Sequence, residues 1–204
     1  MIVELLIMGQ RVADPNLWAR QIANHNRDER YEFAEQIGDL KHISAPLFRA
    51  LMQLALKDRD YLVRVNAVES LGGIATRRAA GILRKCILDK NATVRGYAAI
   101  NFAEVLGARA TRALKYGAAR ETNAWARSMF LIAIFKAGDS GTLDAILKRF
   151  QSRSFHVRSA IINGISDLKL KKREIVVTRK ALQEQLARES SSVLKDKIRR
   201  LLQE

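Results

Sequence analysis

Apolar side chains recur with helical spacing after a series of arginines along the chain. The stretch DYLVRVNAVESLG, residues 60–72, places apolar residues three, four and seven positions after Arg64. The stretch ATVRGYAAINFAEVLG, residues 92–107, repeats this arrangement around Arg95, 31 positions later. Apolar residues at these offsets lie on one face of an α-helix. The two stretches therefore predict two equivalent helices within a repeating structure.

Three further arginines extend the series. Arg30, Arg127 and Arg158 carry the same pattern, and successive arginines are separated by 34, 31, 32 and 31 residues. A near-constant period of this length is the signature of a repeat architecture. The pattern predicts helices over residues 61–74, 92–106, 124–137 and 156–167. The buried face of these helices should include Ala67, Leu71, Ala98, Phe102, Ile134 and Ile165.

A second set of short amphipathic segments lies between the arginine-bearing helices. These segments read DPNLWARQIA, ISAPLFRALMQLAL, RRAAGILRKCIL, ARATRALKYGAA and SGTLDAILKRFQ. The turns that precede the arginine-bearing helices contain Asp, Asn, Ser and Thr, which are the preferred residues at helix N-caps. The alternation predicts a series of helix pairs joined by short polar turns.

The motif L-x-D-x-x-x-x-V-R-x-x-A-x-x-x-L/F, seen in Leu88-Asp89, Val94-Arg95, Ala98 and Phe102, resembles the HEAT-like repeats. The short period resembles the variant named after phycobilisome lyases. This resemblance implies an all-α fold, a right-handed α-solenoid of about five to six HEAT-like helix pairs. Residues 1–204 are then expected to form a single repeat domain. It would comprise a capping segment at 1–13, five clear repeats at 14–168 and an atypical C-terminal capping helix pair at 169–204.

The recurring arginines allow two interpretations. The resemblance implies that they are structural, with Arg64, Arg95 and Arg127 contacting loop acids or carbonyls inside the array. Candidate loop acids are Asp58, Asp89 and Glu121. The alternative is a row of arginines that binds phosphates. Regularity favours the structural role, because stacking requires the same contact in every repeat.

The charge of the chain indicates an acidic partner. Its 36 Lys and Arg residues exceed its 21 Asp and Glu residues, which gives a formal net charge of +15. Either an acidic protein or a nucleic acid would suit such a charge. Residues 1–50 are near neutral, so the excess lies in the rest of the chain. Basic residues of the intervening segments predict a basic edge formed by Arg77, Arg78, Arg109, Arg112, Lys115, Lys148 and Arg149.

A second candidate surface follows from the resemblance, which implies that the second helix of each pair lines a concave face. The residues expected to form this concave ridge are Glu35, Asn66, Glu69, Tyr97, Glu104, Met129 and Lys136. The ridge is acidic towards its N-terminal end and mixed further on, and it is not a basic groove. We therefore favour an acidic protein as the partner, with nucleic acid as the open alternative.

The sequence does not predict a metal site or a catalytic nucleophile. A single cysteine excludes an internal disulfide framework, and three scattered histidines do not form a ligand cluster, so no metal and no cofactor are expected. Cys86 lies between Leu83 and Ile87, which favours a small buried residue over a nucleophile. The apolar N-terminus is interrupted by Glu4 and is too short to span a membrane. We expect a cytoplasmic protein with no membrane partner, and the oligomeric state stays open.

These observations predict a non-enzymatic module that binds a macromolecule, most simply an adaptor or an immunity- or inhibitor-type partner of an acidic protein. The alternative is nucleic-acid binding, including a HEAT-like alkylpurine DNA glycosylase. That enzyme family is expected to place a catalytic carboxylate close to a tryptophan. One helical turn after Trp125 the residue is Met129, and one helical turn after Trp18 it is Ile22. Neither residue is the expected carboxylate. Whether another carboxylate lies near Trp125 in space stays open at this point.

Overall fold

The computed structural model describes residues 6–7, 10–11, 14–40 and 43–203. Within these ranges the chain is built from helices, apart from one antiparallel pair of two-residue strands near the N-terminus. The strands are β1 (Leu6–Ile7) and β2 (Gln10–Arg11). The rest of the capping segment predicted at 1–13 lies outside the described residues. The chain divides into two compact units, one ending at Leu106 and the other beginning at Gly107.

Three helix pairs build the described part of the first unit. They are α1 (Pro15–Arg20) with α2 (Arg27–Gly38), α3 (Ala45–Lys57) with α4 (Tyr61–Ile74), and α5 (Arg77–Cys86) with α6 (Ala92–Leu106). The second helices pack side by side in the order α2, α4, α6, and α3 packs between α1 and α5. This two-layer stacking of successive pairs is the arrangement of an α-solenoid.

Three more helix pairs build the second unit, as far as it is described. They are α7 (Thr111–Arg120) with α8 (Ala124–Lys136), α9 (Leu143–Leu147) with α10 (Phe155–Ser166), and α11 (Lys172–Arg188) with α12 (Ser192–Gln203). Here α10 packs against both α8 and α12. Short 3₁₀ turns at Ser140–Thr142 and Lys148–Gln151 flank α9, so its α-helical part is reduced to little more than one turn.

The predicted helices and their buried face are confirmed. The four arginine-bearing helices α4, α6, α8 and α10 match the predicted ranges to within one residue at each end. All six predicted core side chains are at most 5% exposed. The valines that precede three of the arginines, Val63, Val94 and Val157, are at most 1% exposed and pack between the layers. Each unit is thus built from stacked α-helical pairs of the HEAT-like kind, as the resemblance implied.

Polar residues in the turns fix where the second helices begin. Asn26 accepts a hydrogen bond from the backbone N–H of Glu29, whose carboxylate accepts from Asn26 N–H in return. Asp60 caps α4 through the N–H of Leu62, and Asn123 caps α8 through the N–H of Ala126. Side-chain caps satisfy backbone donors that have no partner within the helix. These second helices consequently start at the same place in their repeats, which sets the register of the arginine four residues after the cap.

Candidate binding surfaces

The series Arg30, Arg64, Arg95, Arg127 and Arg158, here called the arginine ladder, mostly serves to join successive repeats. Arg64 donates from Nε and Nη2 to the two carboxylate oxygens of Asp89, at 2.9 Å each. Arg30 binds Asp58 in the same two-point manner at 2.6 and 3.0 Å, and Arg158 binds Glu189 at 2.7 and 2.8 Å. Every one of these pairs links a second helix to the turn of the following repeat. For these arginines the structural interpretation is confirmed.

Three ladder arginines also donate to the turn six residues before them, in their own repeat. Nη1 of Arg64 donates to the carbonyl of Asp58 at 2.8 Å, and Nη1 of Arg95 donates to the carbonyl of Asp89 at 2.8 Å. Nη1 of Arg158 donates to the carbonyl of Ser152 at 2.9 Å. The guanidinium groups of Arg64 and Arg158 therefore hold two turns at once, and Arg95 contacts the carbonyls of its own turn as predicted.

One position in the turn before each second helix recurs from repeat to repeat, here called the loop-acid position. Asp58, Asp89, Glu121 and Glu189 hold it in four repeats, and each carboxylate accepts a hydrogen bond from the backbone N–H two residues later, at 2.7 to 3.0 Å. Ser152 holds the position in the fifth, where its Oγ accepts from the N–H of Ser154 at 3.2 Å. Ser152 thus reproduces the turn but brings no negative charge.

The prediction that Arg127 contacts a loop acid or carbonyl inside the array is wrong. Its side chain is exposed, and within the described residues it forms no hydrogen bond or ion pair. The physical reason is the serine at the next loop-acid position, because Ser152 cannot offer the two carboxylate oxygens that Asp89 offers to Arg64. The sequence carried this signal, since Ser152 precedes Arg158 by the same six residues that separate Asp89 from Arg95.

The N-terminal part of the predicted concave ridge forms an acidic patch on α2, α4 and α6. Glu35 and Glu69 are both exposed, while Tyr97 is half-buried. Partial burial and the charge of Glu35 raise the pKa of Glu69. Burial, followed by the charge of Glu69 and the presence of Tyr31, raises the pKa of Tyr97. The three predicted residues Glu35, Glu69 and Tyr97 therefore lie close enough on the first unit to influence one another electrostatically.

Asn66 does not belong to this exposed patch. It is 8% exposed, and its amide Nδ2 donates to the carbonyl of Tyr31 at 3.1 Å. One turn further along α4, the hydroxyl of Ser70 donates to the carbonyl of Ala34. Both side chains join α4 to α2 instead of facing a partner. Because Asn66 is polar and its neighbours in the sequence are apolar, the sequence predicted an exposed position for it on α4. In the structure α2 packs against this side of α4 and buries Asn66.

The remaining ridge residues are spread over both units. Glu104 is exposed near the end of α6, in the first unit. Met129 and Lys136 are half-buried on α8, in the second unit.

The predicted basic edge is exposed in the structure, apart from one half-buried residue. Arg77 and Arg78 begin α5, and the guanidinium of Arg78 lies 4.6 Å from the ring centroid of Phe48. In the second unit Arg109 and Arg112 are exposed at the start of α7. Lys115 forms an ion pair with Asp139 at 2.6 Å, so part of its charge is neutralised. Lys148 is exposed and Arg149 is half-buried in the turn after α9.

Two grooves within the described residues are lined by side chains that already bind each other. A groove of about 620 Å³ is lined by Arg158 and Glu189, which already bind each other. A second groove, of about 370 Å³, is lined by the paired Arg64 and Asp89 and by Cys86. Burial raises the pKa of the Cys86 thiol to about 12, with a smaller contribution from Asp89, so the reactive thiolate is disfavoured. Cys86 is a buried packing residue, as the sequence indicated.

Two further features of the described residues bear on function. No group of three or more His, Cys, Asp or Glu side chains that could hold a metal ion occurs among them. No helix within the described ranges is long and apolar enough to cross a membrane. Trp18, one of the two tryptophans, stacks on His25 with ring centroids 3.7 Å apart and lies 4.7 Å from Phe33, which is a packing role.

The chain is similar to one family over part of its length and to solved structures at low identity. The family model described as HEAT repeats matches residues 16–104. A solved structure of the complex of CpcE and CpcF of phycocyanin lyase from Nostoc sp. PCC7120 is similar at 16% identity and a TM-score of 0.49, covering 100% of this chain and 98% of that chain. An engineered protein is similar at 15% identity and a TM-score of 0.49, covering 94% of this chain and 96% of that chain. None of the curated proteins matches. The family match supports the resemblance seen in the sequence over residues 16–104.

Proposed function

We propose that this chain is a non-enzymatic module that binds an acidic protein through its basic edge, as an adaptor or as an inhibitor that covers its partner. The HEAT-repeat fold is typical of protein-interaction modules. The observation that carries the proposal is that each unit exposes cations of its own, with Arg77 on α5 in the first unit and with Arg109 just before α7 and Arg112 on α7 in the second. Exposed charge of one sign speeds association with a partner of the opposite sign.

Electrostatics favour the basic edge over the concave ridge as the contact for an acidic partner. Glu35 raises the pKa of Glu69, so negative charge already repels negative charge on the ridge. An acidic surface brought against Glu35 and Glu69 would add to this repulsion. The ridge is better suited to a neutral or basic segment of the same partner, with Tyr97 available for apolar contact.

Nucleic-acid binding is the second candidate, favoured by the net charge of +15. Binding to phosphates releases counterions, so affinity for nucleic acid should fall steeply as the salt concentration rises. Stacking platforms for bases need aromatic side chains beside basic ones. Along the basic edge, Tyr116 is exposed and already has the guanidinium of Arg120 5.4 Å from its ring centroid. A glycosylase would in addition release free base from alkylated DNA.

A titration with three probes tests the proposal. The probes are a labelled oligoglutamate peptide, a short DNA duplex and a single-stranded RNA, each measured at low and at near-physiological salt. We expect the peptide to bind and to retain measurable affinity at the higher salt. We expect the nucleic acids to lose most of their affinity there. Tight binding of duplex or RNA at near-physiological salt, or base release from alkylated DNA, would overturn the proposal.

Charge-reversal variants test whether the basic edge is the surface that binds the peptide. Arg77→Glu and Arg112→Glu change exposed residues of the basic edge and should each weaken peptide binding. Lys180→Glu is the matched control, because Lys180 is exposed on α11 and carries the same charge outside the basic edge. An equal loss in the control would mean that the peptide responds to net charge and not to the basic edge. Glu35→Gln and Glu69→Gln should leave peptide affinity unchanged or raise it.

A further inference from the structure

The arginine ladder is interrupted at one repeat of the second unit. In the first unit Arg30 and Arg64 each bind a carboxylate of the following turn at two points, and in the second unit Arg158 does the same with Glu189. Arg127 would be expected to find its partner at residue 152, which is a serine. The backbone around Ser152 is nevertheless that of the other turns, since its Oγ accepts from Ser154 N–H and its carbonyl accepts from Arg158.

A second arginine lies beside the interruption. Arg149 belongs to the 3₁₀ turn Lys148–Gln151, just ahead of Ser152, and is half-buried. The backbone carbonyl of Arg149 accepts the N–H of Ser152 at 3.1 Å, so Arg149 lies in the turn that holds the loop-acid position. Burial and, to a smaller extent, the positive charge of Arg127 lower the pKa of Arg149. Within the described residues, neither side chain forms a hydrogen bond or an ion pair. Two neighbouring cations without a counter-charge are unfavourable in the isolated chain.

We propose that Arg127 and Arg149 form a binding site for a carboxylate of the partner protein, an Asp or Glu side chain that supplies the negative charge Ser152 does not. The proposal rests on the proposed function and names one contact within it. The chemistry is the one that this chain uses elsewhere, because three of its ladder arginines already bind carboxylates at two points. Arg–carboxylate pairs of this kind are strong and geometrically specific.

Supplying the missing carboxylate from within the chain gives a test. In Ser152→Asp the new carboxylate can accept the N–H of Ser154, as Asp58 accepts the N–H of Asp60 at 2.9 Å. It can then bind Arg127 as Asp89 binds Arg64. We expect this variant to unfold at a higher temperature than the native chain and to lose affinity for oligoglutamate. Ser152→Ala removes the hydroxyl without adding charge, and it should leave peptide affinity unchanged.

Substitution of the arginines gives an independent measurement. Arg127→Gln and Arg149→Gln should each lower oligoglutamate affinity about tenfold, because each removes a charge-assisted hydrogen bond to the carboxylate. Lys180→Gln, which removes the same charge from an exposed residue of α11 outside the basic edge, should change affinity less than about twofold. Inorganic phosphate is added as a competitor, because an arginine pair can also bind phosphate, and only weak displacement of the peptide is consistent with a carboxylate site.

The outcomes separate this inference from the proposed function. If the native chain binds oligoglutamate and Arg127→Gln behaves like Lys180→Gln, the carboxylate site is wrong while the basic edge stands. Unchanged peptide affinity in Ser152→Asp would have the same meaning. If the native chain does not bind oligoglutamate at all, both proposals fail. Displacement of the peptide by phosphate at low concentration would show a general anion site and would also overturn the carboxylate assignment.

Discussion

Arg64 and Asp89, which are 25 residues apart in the sequence, bind each other through two N–H···O contacts of 2.9 Å in which the arginine side chain is 2% exposed. Removing one partner of a buried pair leaves the other charge buried without compensation. We expect Arg64→Ala to lower the free energy of unfolding by about 3–5 kcal/mol. Urea denaturation followed by circular dichroism measures this change.

Arg199→Ala is the control for that variant. Arg199 pairs with Asp196 at 2.7 Å, but the two side chains are 59% and 60% exposed, so solvent screens the interaction. The expected loss is below about 1 kcal/mol. Comparable losses in Arg64→Ala and Arg199→Ala would contradict the assignment of a structural role to the arginine ladder.

Glu189 should make the stability of the protein depend on acidity. Its hydrogen bonds with Arg158 are the largest cause that lowers the pKa of this carboxyl from 4.5 to about 2. Because the pKa is lower in the folded state, the carboxylate stabilises the fold above the unfolded pKa. That stabilisation, about 3 kcal/mol, is lost as the pH falls from about 5 to about 2. Glu189→Gln should therefore flatten the dependence of the unfolding free energy on pH in this range.

Glu184→Gln provides the comparison for the acid titration. Glu184 lies on α11, five residues before Glu189, and is 54% exposed, and its contact with Arg188 is 3.7 Å long. The variant should keep the pH dependence of the native chain. Identical curves for the native protein and Glu189→Gln would show that Arg158 does not hold the carboxylate of Glu189 ionised.

Close packing between α7 and α8 predicts the effect of adding a single methyl group. A Cβ placed on Gly117 would lie 2.5 Å from Cε1 and 2.8 Å from Cζ of Phe130, a ring that is fully buried. We expect Gly117→Ala to lower the free energy of unfolding by about 1–3 kcal/mol. A Cβ placed on Gly81, in the middle of α5, would meet nothing within 4 Å beyond its own helix. Gly81→Ala should therefore raise stability, by up to about 1 kcal/mol, through its better helix propensity.

Cys86 should not react with thiol reagents in the folded protein. It is 2% exposed, and burial raises its pKa to about 12. We expect modification only at the rate at which the chain unfolds, measured as release of the chromophore from an aromatic disulfide reagent. A variant with Cys86→Ala and Ser192→Cys places the thiol on an exposed position of α12 and should react promptly. Rapid modification of the native chain would contradict the burial of Cys86.

The sequence alone was sufficient to predict the helices and the core residues, because both depend on local periodicity. Leu71, Phe102 and Ile134 recur at the same offset from their arginines, and each is at most 2% exposed. Periodicity alone could not place Asn66, because its burial depends on how closely α2 approaches α4. Ser152 in the sequence could have shown that Arg127 has no carboxylate to bind in the following turn. That prediction requires the loop-acid position to be recognised across several repeats first.

The candidate surfaces were predicted less completely than the fold. The exposure of Arg77, Arg109 and Arg112 follows from their place on the polar side of amphipathic segments. The electrostatic influence of Arg127 on Arg149 does not follow from the sequence, since the two residues belong to different helix pairs. Contacts between repeats depend on side-chain direction, which a pattern of residue types does not specify.

The ladder also determines which parts of the chain open together. Asp58 accepts Arg30 through its carboxylate and Arg64 through its carbonyl, and Asp89 joins Arg64 to Arg95 in the same way. Fraying of one turn therefore breaks the contacts of two repeats, so the amides of α4 and α6 should exchange with deuterium in a single cooperative step. Among the described residues no such link forms at Arg127, and in the second unit α8 and α10 should exchange their amides in separate steps, with the boundary at the turn that holds Ser152.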